Sequence, residues 1–124
     1  MLVVKDKFYK EIPLTPPVFK FLQPAELDIT IIIVSFNTRE ILFRCLESIK
    51  QHTQEISYEV IVVDNASEDG TAQATIERFP EVKVIANDDN RGFSAANNQG
   101  IAVSKGRKIA LLNPDTLLTA NSFQ

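Results

Sequence analysis

Glycine is sparse in this chain of 124 residues: Gly70, Gly92, Gly100 and Gly106 are all there is, and none falls in G-x-G-x-x-G or G-x-x-x-x-G-K-[ST] spacing. The dinucleotide fingerprint and the P-loop are therefore both missing. Cysteine occurs once, as Cys45 within an apolar helical pattern. A lone thiol excludes an internal disulfide and a Cys-type zinc site, and it favours a reducing compartment, the cytoplasm by default. Positive charge is in deficit: 13 Lys and Arg against 16 Asp and Glu give a formal net charge of -3 and a pI near 5.1. No global positive field exists to gather nucleic acid or an anionic membrane. Long apolar runs are absent too. The strongest, 29–34, is far shorter than the ~20 residues of a membrane span. The N-terminus reaches Lys5, Asp6 and Lys7 too early for a signal peptide core.

What remains is enough for one core, with 44% hydrophobic residues. Residues 1–27 hold Pro13, Pro16, Pro17 and Pro24, which remove backbone donors and fix φ, so an extended, irregular arm is expected there. Phe8, Tyr9, Phe19 and Phe21 are expected to pin that arm by packing. From Asp28 the pattern becomes regular. Segments 29–34, 60–63, 82–85 and 109–112 are short, nearly continuous apolar runs, suited to strands buried on both faces. Helical spacing links Ile41, Leu42, Cys45, Leu46 and Ile49, then Ala72, Ile76 and Phe79, then Phe93, Ala96, Gly100 and Val103. Asn37 with Glu40 suggests a capping box, Pro80 a stop for the second helix, and Gly106 a close for the third.

Such alternation predicts an α/β fold, Rossmann-like, with a mostly parallel sheet flanked by helices. If the first three strands run outward and the fourth returns beside the first, a switch point opens between strands one and four. Ser35-Phe36-Asn37 and Asn113-Pro114-Asp115 then face each other. All four strands end in polar tips, the others being Asp64-Asn65-Ala66-Ser67 and Asn87-Asp88-Asp89-Asn90. An open α/β sheet binds ligands at such ends. Residue types alone leave two readings open. Asp64 suits a cap for the turn into the second helix as well as a ligand position, and Asp115 suits an ordinary Asn-Pro-Asp turn as well as a metal ligand. Arg91 pairs either with Asp88 or Asp89 in a solvated loop or with a bound diphosphate. Ala95, Ala96 and Gly100 make the third helix narrow, either for packing or for a ligand, and Asn97 and Asn98 are expected to bond backbone or ligand. His52 complements the end of the first helix, and Cys45 belongs to the core.

Four motifs in order resemble those of family 2 glycosyltransferases of GT-A fold. They are Ile31-Ile32-Ile33-Val34-Ser35-Phe36-Asn37, then Val62-Val63-Asp64-Asn65-Ala66-Ser67-Glu68-Asp69-Gly70-Thr71, then Asn90-Arg91-Gly92-Phe93-Ser94-Ala95-Ala96-Asn97-Asn98-Gln99-Gly100, and last Leu112-Asn113-Pro114-Asp115. The resemblance spans Asp28 to about Thr119, and the Asn-Pro-Asp form is similar to a rhamnosyltransferase-like branch. It implies that 28–124 is the nucleotide-sugar-binding part of a truncated GT-A domain.

By that resemblance, Asp64 accepts the imide N–H of uracil or thymine, Ser35, Phe36 and Asn37 wrap the nucleoside, and Asn90, Arg91 and Gly92 flank nucleotide and donor sugar. Asn113 and Asp115 occupy the outer positions of the family's Asp-x-Asp signature, with Asn113 toward hydroxyls and Asp115 on Mn²⁺ or Mg²⁺. Asn at the first position adds no charge to the metal shell, so modest metal affinity is expected. The implied reaction is inverting transfer from a dTDP- or UDP-sugar to a glycan or lipid-linked acceptor. The acceptor-activating carboxylate of the family lies downstream of these motifs, so the chain alone is expected to be inactive. Two rivals stand beside this reading. One is a nucleotide-binding module without transfer. The other is a receiver-like domain phosphorylated on Asp64, which would need an acidic pair where this chain has Ser35-Phe36-Asn37.

Overall fold

The computed structural model describes residues 2–6 and 27–119. The proline and aromatic residues of 7–26 lie outside the described residues. Among the described residues, five strands form one sheet: β1 (Leu2–Asp6), β2 (Leu27–Ser35), β3 (Tyr58–Asp64), β4 (Lys83–Ala86) and β5 (Gly106–Leu112). Their order is β1-β5-β2-β3-β4. β5, β2, β3 and β4 are mutually parallel, and β1 lies antiparallel along the outer side of β5, with Leu2 opposite Leu112. The four parallel strands take the expected order, and the reversal falls between β2 and β5. β1 is an addition. Five residues ending in charge give little apolar pattern, and an edge strand is held mainly by backbone pairing.

Helices α1 (Arg39–His52), α2 (Thr71–Arg78) and α3 (Phe93–Ala102) supply the crossovers. In β2, Ile31, Ile32 and Ile33 are all fully buried. Because neighbouring strand residues point to opposite faces, both faces of the sheet are covered. One layer joins Ile31, Ile33, Val60, Val62 and Leu112 to Leu42, Cys45, Leu46 and Ile49 of α1, with Phe79 beyond α2. Each large side chain buried there contributes about 1.5–3 kcal/mol. The opposite layer is thinner, with Ile32, Ile61, Val63 and Ile109 meeting only Ala96 of α3 among fully buried partners. A Cβ on Gly100 would stand 2.8 Å from Ile32 Cγ2. Ala96 and Gly100 therefore serve close helix-to-sheet packing, while Ala95 faces solvent.

Several local expectations need correction. Ile41, Ile76, Phe93 and Val103 point outward. On α2 the buried positions are instead Thr71 and Thr75. The Thr75 hydroxyl donates to the Thr71 carbonyl at 2.7 Å, which satisfies its polar atom and lets the methyl group pack. Asn37 does not form a capping box. It takes a left-handed φ of 51°, Thr38 becomes the N-cap, and the Asn37 amide is committed to another loop. Gly106 does not close α3, which ends at Ala102; it opens β5. A Cβ there would meet the Thr30 hydroxyl at 2.6 Å and the backbone of β2, so only glycine allows the strands to pair from their first residue. Its N–H donates to Thr30 Oγ1 at 2.7 Å.

Candidate functional site

Pairing registers bring the predicted tips to one edge. Ser35 lies opposite Asp64, and Ile33 lies opposite Leu112, so 113–115 leave the sheet beside Ser35. Parallel strands separated by dozens of residues thus deliver Asp64 and Asp115 to the same rim.

On the α1 and α2 side, Asp64 is 2% exposed and Ser35 is fully buried. Asp64 Oδ1 accepts from Ser35 Oγ at 2.8 Å and Ser67 Oγ at 2.5 Å, and Oδ2 accepts from Ser67 N at 2.9 Å. The turn-capping role is therefore real. Two carboxylate oxygens offer about four acceptor sites, so these three bonds leave one on Oδ2. Ala66 reaches this turn with φ of 65°, a conformation that costs an L residue about 1–2 kcal/mol. Ser67 Oγ also accepts from Asn37 N at 2.8 Å, and Asn37 Oδ1 accepts from Glu68 N at 2.7 Å. The loops after β2 and β3 are stitched together by these bonds, leaving Phe36 47% exposed above them. Asp69, just before the Gly70 N-cap of α2, accepts from Thr71 N at 3.1 Å and from the Thr71 hydroxyl. Burial alone would raise the Asp69 carboxyl, but donors from Thr71 and the Arg39 N–H outweigh it and hold the group below its ordinary 3.8.

On the α3 side the polar groups are neutral amides. Asn65 is 2% exposed. Its Oδ1 accepts from Asn87 Nδ2 at 3.0 Å and Arg91 N at 3.4 Å, and its Nδ2 donates to the Gly92 carbonyl at 3.2 Å. Asn87 and Gln99 exchange two bonds of 2.8 Å. Asn90 Oδ1 accepts from Gly92 N at 2.9 Å, and Gly92 turns the chain with φ of 82°. Arg91 takes the salt-bridge option, meeting Asp89 at 3.1 Å in solvent. Asn97 is buried with its Nδ2 unpartnered, and Asn98 is exposed. The sequence places Asn65, Ser67 and Asn87 in polar strand tips and Gln99 in the third motif, without a role for any of them. The available signal was three uncharged amides at strand ends and inside a helix, where amides are poor formers unless bonded.

After β5, Thr116 N donates to Asn113 O at 3.0 Å, closing a turn with Pro114 and Asp115 at its corners. Leu118 N then donates to Ser48 Oγ at 3.0 Å, which ties this segment to α1. Burial, and after it the negative charge of Asp115, push the Cys45 thiol up to about 12. Asp115 itself is exposed, and no hydrogen bond or ion pair engages it among the described residues. Among those residues no group of three or more His, Cys, Asp or Glu gathers to hold a metal. One free carboxylate beside an amide fits a hard divalent ion that takes its remaining oxygens from phosphate and water. No helix among the described residues is long and apolar enough to cross a membrane. A groove of about 570 Å³ runs along α1 between Phe43, Arg44, Arg78 and Leu117, and contains none of the predicted site residues. A second cavity, about 330 Å³, includes Asn37 and Asp69.

A mostly parallel sheet with a strand-order reversal and polar tips at one rim is a Rossmann-like α/β fold of GT-A type. Residues 30–124 match the sequence model of Glycosyl transferase family 2, and the chain belongs to that family. It is 37% identical over 89 residues to the succinoglycan biosynthesis protein ExoO of Rhizobium meliloti, covering 71% of this chain and 25% of that protein. Over 91 residues it is 34% identical to glycosyltransferase AglE of Haloferax volcanii, covering 70% of this chain and 30% of that one. Among solved structures, mannosyltransferase PcManGT of Pyrobaculum calidifontis, in complex with GDP-Man and Mn²⁺, superposes with a TM-score of 0.66 at 24% identity. That match covers 82% of this chain and 34% of the mannosyltransferase. S. aureus TarS 1-349 gives a TM-score of 0.65 at 21% identity, over 73% and 28% of the two chains. This chain spans a quarter to a third of the length of these relatives.

Proposed function

We propose that residues 28–124 are the donor-binding part of a glycosyltransferase that uses a dTDP- or UDP-sugar. The carrying observation is the register that sets Ser35 against Asp64 and releases 113–115 beside them. The acceptor would be a glycan or a lipid-linked acceptor, in the cytoplasm or at its membrane face. Asn113-Pro114-Asp115 favours a rhamnosyltransferase-like hexosyl donor.

In this reading the free acceptor site on Asp64 Oδ2 takes the imide N–H of the base, while Ser35 and Ser67 hold the carboxylate still. Phe36 covers the nucleoside. Arg91 exchanges the exposed Asp89 for diphosphate, a trade that costs little because an exposed pair contributes at most about 1 kcal/mol. Asn113 orients hydroxyls through both ends of its amide, and Asp115 contributes one oxygen to Mn²⁺ or Mg²⁺. When bound, such an ion neutralises charge on the departing nucleoside diphosphate. The group that activates the acceptor is not assigned to this chain, so binding without transfer is expected of it alone. Ser35-Phe36-Asn37 after β2, where a receiver-like domain needs an acidic pair, speaks against a phospho-accepting role for Asp64.

Calorimetric titration of UDP and dTDP, with and without Mn²⁺, into wild type and Asp115→Ala tests the proposal. Wild type is expected to bind more tightly with metal, and the variant to lose that gain while remaining folded. Equal affinity in both proteins removes Asp115 from the metal assignment, and absence of any nucleotide binding removes the function. Sugar transfer by this chain would overturn the expectation of binding without transfer.

A further inference from the structure

Asn65 occupies an unusual position: the residue before it reads toward one loop, and its own side chain holds the next. Asp64 bonds Ser35 and Ser67 on the α1 and α2 side. Asn65, one residue later and so on the opposite face, bonds the backbone of Arg91 and Gly92. The Gly92 carbonyl also accepts from Ala96 N at 3.2 Å, so Asn65 grips the same oxygen that starts α3. Asn87 supports the grip by donating to Asn65 Oδ1, and Gln99 fixes Asn87 in turn. Both strand ends are themselves joined, because Asn87 N donates to the Asp64 carbonyl at 2.9 Å. Nothing else described bonds the backbone of Arg91. An amide 2% exposed has no access to solvent partners, and every polar atom it carries is spent on this loop or its support.

We propose that Asn65 is a positioning residue for the diphosphate end of the donor site. It sets the backbone of Arg91 relative to Asp64, so that one peptide unit fixes the spacing between base recognition and phosphate recognition. The proposal rests on the nucleotide reading above and deepens it. Its ligand class is a pyrimidine nucleoside diphosphate, and its specific consequence is selective: Asn65 governs how much affinity the second phosphate adds, and leaves nucleoside recognition to Asp64.

The test titrates uridine, UMP and UDP, each with Mn²⁺, into wild type and Asn65→Asp. The substitution keeps the shape but replaces the NH₂ donor facing the Gly92 carbonyl with an acceptor oxygen. The UMP-to-UDP gain is expected to fall roughly tenfold, the scale of one buried hydrogen bond left unmade, with uridine affinity held within about twofold. Hydrogen exchange should quicken at Arg91 and Gly92 while amides of β2 and β3 stay protected. If Asn65→Asp does not fold, Asn87→Ser carries the same test, since it removes one support and leaves Asn65 in place; a smaller fall of the same kind is expected. A uniform loss across the three ligands would make Asn65 merely structural, and an unchanged UMP-to-UDP gain would also overturn the proposal. Failure of wild type to bind UDP would instead sink the nucleotide reading, and this inference with it.

Discussion

Two polar clusters share the carboxyl rim of this sheet and are built from different chemistry. Around Asp64 the bonds run to a carboxylate, are short, and come from the end of β2 and the turn after β3. Around Asn65 they join neutral amides from β3, the end of β4 and α3. A buried carboxylate needs donors on every side, or its desolvation goes uncompensated. An amide both gives and receives, so it can be chained across three elements. The charged cluster fixes a point, whereas the amide cluster spans a distance.

Breaking the first should cost more than breaking the second. Asp64→Ala strands Ser35, Ser67 Oγ and Ser67 N at once, and a loss of about 3 kcal/mol is expected in urea unfolding. Asn87→Ala unpairs Asn65 on one side and Gln99 on the other, with about 2 kcal/mol expected from the same measurement. Acid sharpens the contrast further. Asp69 sits below its ordinary 3.8, so its stabilising contribution is complete above that pH and disappears as pH falls through the lower folded value. Hydrogen exchange at successively lower pH should therefore loosen the start of α2 before the start of α3, whose amide supports do not titrate; simultaneous loosening would deny the distinction. The smallest effect concerns Ala66, whose φ of 65° suits glycine. Ala66→Gly is expected to stabilise by about 0.5 kcal/mol, and a measured loss would show that the turn is not strained.

Much of the framework could be read in the chain before folding. Three consecutive isoleucines in β2 announced a strand covered on both faces, and polar residues after each run marked the rim. The polar rim was legible at Asp64 and Asp115, which leave neighbouring strands at the same edge, whereas the chain of amides through Asn65, Asn87 and Gln99 was not. Asn65, Asn87 and Gln99 carry no charge and have no fixed spacing, since their partners lie 12 and 22 residues apart and meet only once the sheet is assembled. Asn37 misled for a related reason. Its side chain suits a helix cap, but the left-handed backbone turned it toward Glu68. Gly106 resembled a helix terminator because a glycine required by close strand approach looks the same in sequence.

Gly100 lies two turns along α3 from the rim, yet its missing methyl governs how deeply that helix seats over Ile32. A helix riding higher would lift its own first residue, and with it the preceding bend that carries a cation outward. The elevation of a charge at the molecule's lip thus depends also on a single absent carbon in its interior.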